Sequence, residues 1–145
     1  MFRQIQIILF IFILLNISNS ILADDKFFEQ GKQKYEEKKY DVSKFLFQRS
    51  ILFDPKDTKS YLYLAKIYNF EKNKREEEKN INTVLLLDPK NEEANYLLME
   101  IELKNSNYTK VKELAENFSK ICKKLCEKKI LILKSLENLE PKNES

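Results

Sequence analysis

Two five-residue strings, Phe53-Asp54-Pro55-Lys56-Asp57 and Leu87-Asp88-Pro89-Lys90-Asn91, stand 34 residues apart. A fixed period of this length means that the chain is assembled from copies of one supersecondary unit, and it leaves few architectures open. Each Asp-Pro pair stops a helix, because proline disfavours the α conformation in the residue before it and brings no amide donor of its own. Between the two stops, Tyr61, Leu64, Ala65, Ile67 and Tyr68 recur at helical spacing. After the polar stretch 69–80, Ile81, Val84, Leu85 and Leu87 make a second apolar stripe. One unit is therefore two amphipathic helices and a turn. A lone pair of this kind buries too little apolar surface to offset roughly 1–2 kcal/mol per residue of backbone ordering, so neighbouring pairs must stack, and about three units are needed.

The period and the slots within it resemble the tetratricopeptide repeat (TPR). With Pro55 in that family's proline slot, the first unit places Phe27 at the large-aromatic position and Gln30-Gly31 at the Leu-Gly pair. Tyr40, Ser43, Phe47 and Ser50 follow along the second helix. The second unit offers Tyr61, Leu64-Ala65, Tyr68, Ile81 and Val84. The third offers Asn95, Leu98-Met99, Tyr108, Val111, Ala115 and Phe118, but Lys123 holds its proline slot. The resemblance covers about 100 residues and implies an all-α solenoid of antiparallel helix pairs: repeats at 24–57 and 58–91, a degenerate third at 92–123, a capping helix at 124–140 and a tail at 141–145. A single long helix from 107 to 139 is the rival at the C-terminal end. Two departures from the pattern predict looser packing in the second and third units. Met99 replaces a small residue, and Glu77 occupies a small-residue position where a buried carboxylate would be costly, so either Glu77 reaches outward or the second helix of that repeat is rotated relative to the family pattern.

Residues 1–23 read as an address rather than part of the fold. Arg3, the apolar run 5–15 and the small residue Ala23 before Asp24 have the layout of a secretory signal peptide. Cleavage falls before Asp24, with Ser20 as a second candidate. An uncleaved membrane anchor and a buried core helix are the alternatives, but a spanning helix needs about 20 predominantly apolar residues and this stretch carries several polar ones. Export is expected, to a bacterial periplasm or by secretion, with contact to a membrane only if the segment is retained.

Inventory removes most chemistry. The chain has no His, which excludes imidazole relays and His-ligated metal sites, and its single glycine, Gly31, cannot build a phosphate-binding loop. Charged residues make up 34% of the chain, but acids and bases are interleaved and nearly cancel, so neither nucleic acid nor anionic lipid finds a broad basic face. No cofactor, no metal and no catalytic residue are expected. Cys122 and Cys126 are the only thiols. In an exported protein they invite a disulfide, yet four-residue spacing on an unbroken helix fits the bond poorly unless a turn intervenes. Buried thiols, a local or intermolecular disulfide, and a redox role favoured by Lys123 and Lys124 all stay open.

In proteins of this family the first helices of successive repeats line a concave surface that takes a peptide or a partner helix. The resemblance therefore implies a groove of Phe28, Lys32 and Tyr35, then Leu62, Lys66 and Asn69, then Tyr96, Glu100 and Leu103. Phe28, Leu62 and Tyr96 would form an apolar ladder of anchors; the alternative has them packed between helices. The subtype that clamps a C-terminal carboxylate carries Lys or Asn at slots held here by Phe28, Tyr63, Glu93 and Leu97, so chaperone-tail recognition is disfavoured. The expectation is a non-catalytic adaptor or scaffold of the cell envelope that binds a protein or peptide, with no nucleic-acid partner. A self-associating or membrane-anchored assembly subunit, pairing through the helix 126–139, is the second reading.

Overall fold

The computed structural model describes residues 26–139; the leader read in 1–23 and the tail at 141–145 lie outside the described residues. Residues 26–36 form the described part of α1. Six further helices follow: α2 (Tyr40–Phe53), α3 (Thr58–Phe70), α4 (Lys74–Leu87), α5 (Glu92–Lys104), α6 (Tyr108–Ile121) and α7 (Cys126–Leu139). Among the described residues all regular structure is helical. Successive helices pack on one another, and α7 packs on both α6 and α5, as stacked helix pairs require.

The turns between the two helices of each pair repeat with the period of the sequence. Lys38, Lys72 and Ser106, each 34 residues from the next, adopt the left-handed conformation with φ of 59°, 58° and 59°. Their amides donate to the carbonyls of Tyr35, Asn69 and Leu103, and the following amides of Lys39, Asn73 and Asn107 reach back to Lys34, Tyr68 and Glu102. These are Schellman caps. Glycine is the residue that usually meets this conformation, and this chain meets it three times without one.

Turns between pairs fall into two kinds. At Asp54 and Asp88 the backbone amide closes the preceding helix on Ser50 and Val84, while the side chain accepts from the amide two residues on, Lys56 at 2.9 Å and Lys90 at 3.1 Å. Asp57 and Asn91 then cap the next helix by accepting from the amides of Lys59 and Ala94. The third turn, 122–125, has no Asp-Pro pair. Cys122 closes α6 on Phe118, and its disulfide to Cys126 spans the turn with the two Cα atoms 5.3 Å apart. Because α6 ends at Ile121 and α7 starts at Cys126, the cysteines do not sit on one continuous helix, which is what makes the bond geometrically possible.

Within each pair, helices meet through side chains whose sizes trade places. In the first, a Cβ on Gly31 would lie 2.8 Å from the Phe47 ring, so only glycine lets that ring lie against α1. The equivalents are Ala65 with Ile81 in the second pair and Met99 with Ala115 in the third, all buried. The large residue thus moves from the second helix to the first. Met99 loosens nothing: it is fully buried, because Ala115 opposite leaves room for it.

A second departure resolves differently from the expectation. Ser43, Glu77 and Val111 are equivalent, and all three are buried. The Ser43 hydroxyl donates to the Gly31 carbonyl at 2.8 Å and ties α2 to α1. Glu77 does not reach out to solvent. It is only 6% exposed and turns toward α3, where its Oε1 accepts from Asn69 Nδ2 at 2.5 Å.

Candidate functional site

The helices α1, α3 and α5 present one face, and a cavity of about 330 Å³ opens between them. Tyr35 lines it from α1, Ala65, Lys66 and Asn69 from α3, Leu97, Glu100 and Lys104 from α5, and Glu77 reaches it from α4 behind. A second cavity of about 300 Å³ adjoins it at the edge of the stack and shares Asn69, Glu77 and Lys104. Lys72, Lys74 and Arg75 give that edge a basic rim, with Glu78 among them.

Four of the nine residues expected to line a groove, Tyr35, Lys66, Asn69 and Glu100, come together at the first cavity. The other five lie elsewhere. Leu62 is buried in the core cluster with Ala65, Ile81, Val84, Ala94 and Ile101, so it offers the groove no side chain. Its slot points inward because α3 lies between two neighbouring pairs and buries residues on both sides. Phe28 is half-buried with its ring 5.9 Å from Phe47 and 5.8 Å from Tyr63, and Lys59 Nζ lies 5.3 Å over it. Tyr96 and Leu103 pack against the cluster built on Met99, Phe118, Ile132 and Leu136. Phe28, Leu62 and Tyr96 are packing residues rather than a ladder of exposed anchors. Lys32 is half-buried on α1 and does not line the cavity.

The polar groups around the cavity are tied to one another. Lys66 Nζ pairs with Glu93 Oε1 at 2.6 Å and lies 4.6 Å over the Tyr63 ring, joining α3 to α5. The Tyr96 hydroxyl donates to Glu100 Oε1 at 2.5 Å, and Lys128 Nζ of α7 lies 5.3 Å over the Tyr96 ring. Burial, and then the bond to Glu100, push the Tyr96 phenol up to about 12. Burial also raises the phenols of Tyr35 and Tyr63. Tyr40, Tyr63 and Glu93 add to the effect on Tyr35, while Glu36, Glu93 and Glu29 add to it on Tyr63.

Ala65, Glu77, Leu97 and Lys104 line the cavity from outside the expected groove set; Glu77 stood out in the sequence as a carboxylate at a small-residue position, Ala65 and Leu97 held recognisable repeat slots, and Lys104 carried no signal. No group of three or more His, Cys, Asp or Glu side chains is arranged to hold a metal among the described residues. Nor is any described helix long and apolar enough to cross a membrane.

Solved structures superimpose on this arrangement. The TPR2B domain of yeast Sti1, in its pHsp70 complex, matches with a TM-score of 0.74 over 82% of this chain and 99% of its own, at 11% identity. The chain has the tetratricopeptide-repeat fold. The TPR domain of Arabidopsis OM64 matches at 0.73, covering 82% of this chain and 98% of its own at 14% identity. The second TPR domain of human RPAP3, in complex with the HSP70 peptide SGPTIEEVD, matches at 0.68, covering 81% and 98% at 17% identity. Identities this low establish the fold alone. No protein-family model matches the sequence, and no curated protein matches it.

Proposed function

We propose that this TPR solenoid is a non-catalytic interaction module, an exported adaptor of the cell envelope that takes an extended protein segment along the face of α1, α3 and α5. The observation that carries the reading is the open cavity between those helices, walled by Tyr35 and Leu97 and edged by Lys66, Asn69 and Glu100. An open cleft that combines the apolar surfaces of Tyr35, Ala65 and Leu97 with the polar groups of Lys66, Asn69, Glu77, Glu100 and Lys104 suits a side chain of a bound segment. One of the similar structures is a complex with an HSP70 peptide and another a pHsp70 complex, which supports peptide binding as a use of this fold. The export part of the proposal rests on the sequence of residues 1–23.

Site-specific photo-crosslinking tests it. A crosslinkable residue at Asn69, on the cavity, is compared in native envelopes with one at Asn82, exposed on α4. A stoichiometric partner caught from position 69 and not from 82, on a soluble chain starting at Asp24, is the expected result. Equal capture from both positions, or none from 69, removes the groove. An intact Met1 removes the soluble adaptor in favour of an anchored one.

One observation favours a second reading, self-association through the C-terminal helix: Ile130 and Leu131 are 62% and 57% exposed on α7. Light scattering decides it, since a strict monomer at high concentration excludes that pairing.

A further inference from the structure

The turn edges of the three helix pairs use equivalent positions, and the second pair departs from the other two. In the first, Tyr40 at the start of α2 lies with its ring 5.5 Å from that of Tyr35 and 4.5 Å from that of Phe70, so aromatic rings close the corner between α1, α2 and α3. In the third, Leu103 and Tyr108 are half-buried against the last core cluster. Asn69, Lys74 and Lys104, each 34 residues on from Tyr35, Tyr40 and Phe70, hold these places in the second, and there the cavity of about 300 Å³ opens. A lysine does not fill the space of a tyrosine ring, because its ammonium stays in water. Lys72 and Arg75 line the same cavity, and none of the four cations forms an ion pair among the described residues. At the first turn, by contrast, Lys34 and Lys39 both pair with Glu37. Two acids also line the cavity, Glu77, which accepts from Asn69, and Glu78, so the four cations exceed the acids by two charges.

We propose that this corner receives an acidic side chain, aspartate or glutamate, of the segment bound along α1, α3 and α5, with its carboxylate among Lys74, Arg75 and Lys104. This rests on the reading of that face as a peptide site and gives its edge a charge preference. The corner adjoins the first cavity and shares Asn69 and Lys104 with it, so one segment reaches both. A cleft lined with an excess of one sign of charge raises the local concentration of the opposite sign, and a carboxylate relieves the repulsion among cations that have no counter-charge of their own. The Arg75 guanidinium offers a planar pair of donors that matches a carboxylate, and Ile101 gives the methylene stem an apolar contact. A basic side chain in the same place meets the excess of like charge and is rejected.

The test titrates the full-length chain with a capped alanine-based peptide carrying glutamate at its centre, and with the same peptide carrying glutamine, which has nearly the same shape and no charge. Side-chain amide NMR signals of Asn69 and Asn105, which both line the corner, report the site. The glutamate peptide should shift both signals and bind about tenfold more tightly than the glutamine peptide. Lys74→Tyr, which puts back the residue that the first and third pairs carry, should bring the two peptides to within about threefold of each other, and so should Lys104→Gln on the exposed end of α5. Equal or weaker binding of the glutamate peptide at these signals overturns the acidic corner and leaves the groove standing. A preference that survives in both variants, or shifts confined to other surfaces, overturns the corner as well. Failure of both peptides to move any signal of α1, α3 or α5 overturns the corner and the groove together.

Discussion

The turns between helix pairs solve one problem in two ways. At the first two, a local Asp-Pro pair ends a helix, and the aspartate folds back onto an amide of its own turn, Lys56 or Lys90. At the third, Cys and Lys stand where Asp and Pro would be, and the equivalent amide, that of Lys124, is captured by Glu92, 32 residues away at the start of α5. Leu125 donates to the same oxygen at 2.9 Å, and the Cys122–Cys126 disulfide closes the loop. The first two turns are written in five consecutive residues. The third depends on a distant helix and on oxidation, so its stability is conditional where theirs is not. The carboxylate capping is common to all three; what differs is whether it is local.

The largest difference between the two kinds of turn should appear in the helix that the third turn delivers. Leu136 is buried against the last core cluster, and Leu136→Ala should cost about 3 kcal/mol. Hydrogen exchange should show the loss concentrated in α7 and not in α2 or α3. Reducing the disulfide, or replacing both cysteines by serine, should cost about 2 kcal/mol by the entropy of a short loop, read as a lower unfolding midpoint. Since these are the only cysteines, reductant should leave amide protection at the Asp54 and Asp88 turns unchanged. Asp88→Ala removes a local cap and should cost about 1 kcal/mol whether or not reductant is present.

Two smaller effects sharpen the contrast. The turns inside the pairs are alike in all three repeats, so glycine at Lys38, Lys72 or Ser106 should stabilise by a similar increment of roughly 0.5–1 kcal/mol each in urea titrations. A large spread would mean that they are not equivalent. The three backbone amides of Lys123, Leu125 and Lys124 hold Glu92 below its ordinary carboxylate pKa of 4.5. A group depressed in the folded state stabilises fully above its unfolded value, and the contribution disappears as pH falls through the lowered folded value. Acid titration of the intact protein should therefore loosen α7, and Glu92→Gln should remove that step from the profile.

The fold class was legible because its determinants are local. Asp54-Pro55 and Asp88-Pro89 announce a 34-residue unit, and Gly31 falls in a recognisable repeat slot, although its close approach to Phe47 is a finding of the structure. The site was legible only in part, because which way a side chain turns depends on the neighbouring pair. Leu62 occupies a groove slot by counting, yet it is drawn into the core that α3 shares with α4 and α5. Glu77 broke the pattern visibly, but its destination was set by Asn69, eight residues earlier on the other helix of the pair, and no periodicity contains that bond. Lys66, a groove slot by counting, is held by Glu93, which comes from the next repeat. For the cysteines, spacing alone left several states open. What decides between them is the end of α6 at Ile121, which places the pair across a turn.

The trade of sizes inside the pairs has a consequence for how such a chain can change. Glycine faces phenylalanine, alanine shares a cluster with isoleucine, and methionine with alanine, so the sizes that meet inside each pair are matched to one another. A recombination crossover at Lys38, Lys72 or Ser106 would join mismatched halves: Gly31 opposite Ala115 leaves a hole, and Met99 opposite Phe47 overfills the same space. A crossover at Asp54 or Asp88 keeps every couple intact. The heritable block in this array is the matched couple, and its Asp-Pro joints are the places where evolution can cut and splice without redesigning what lies between them.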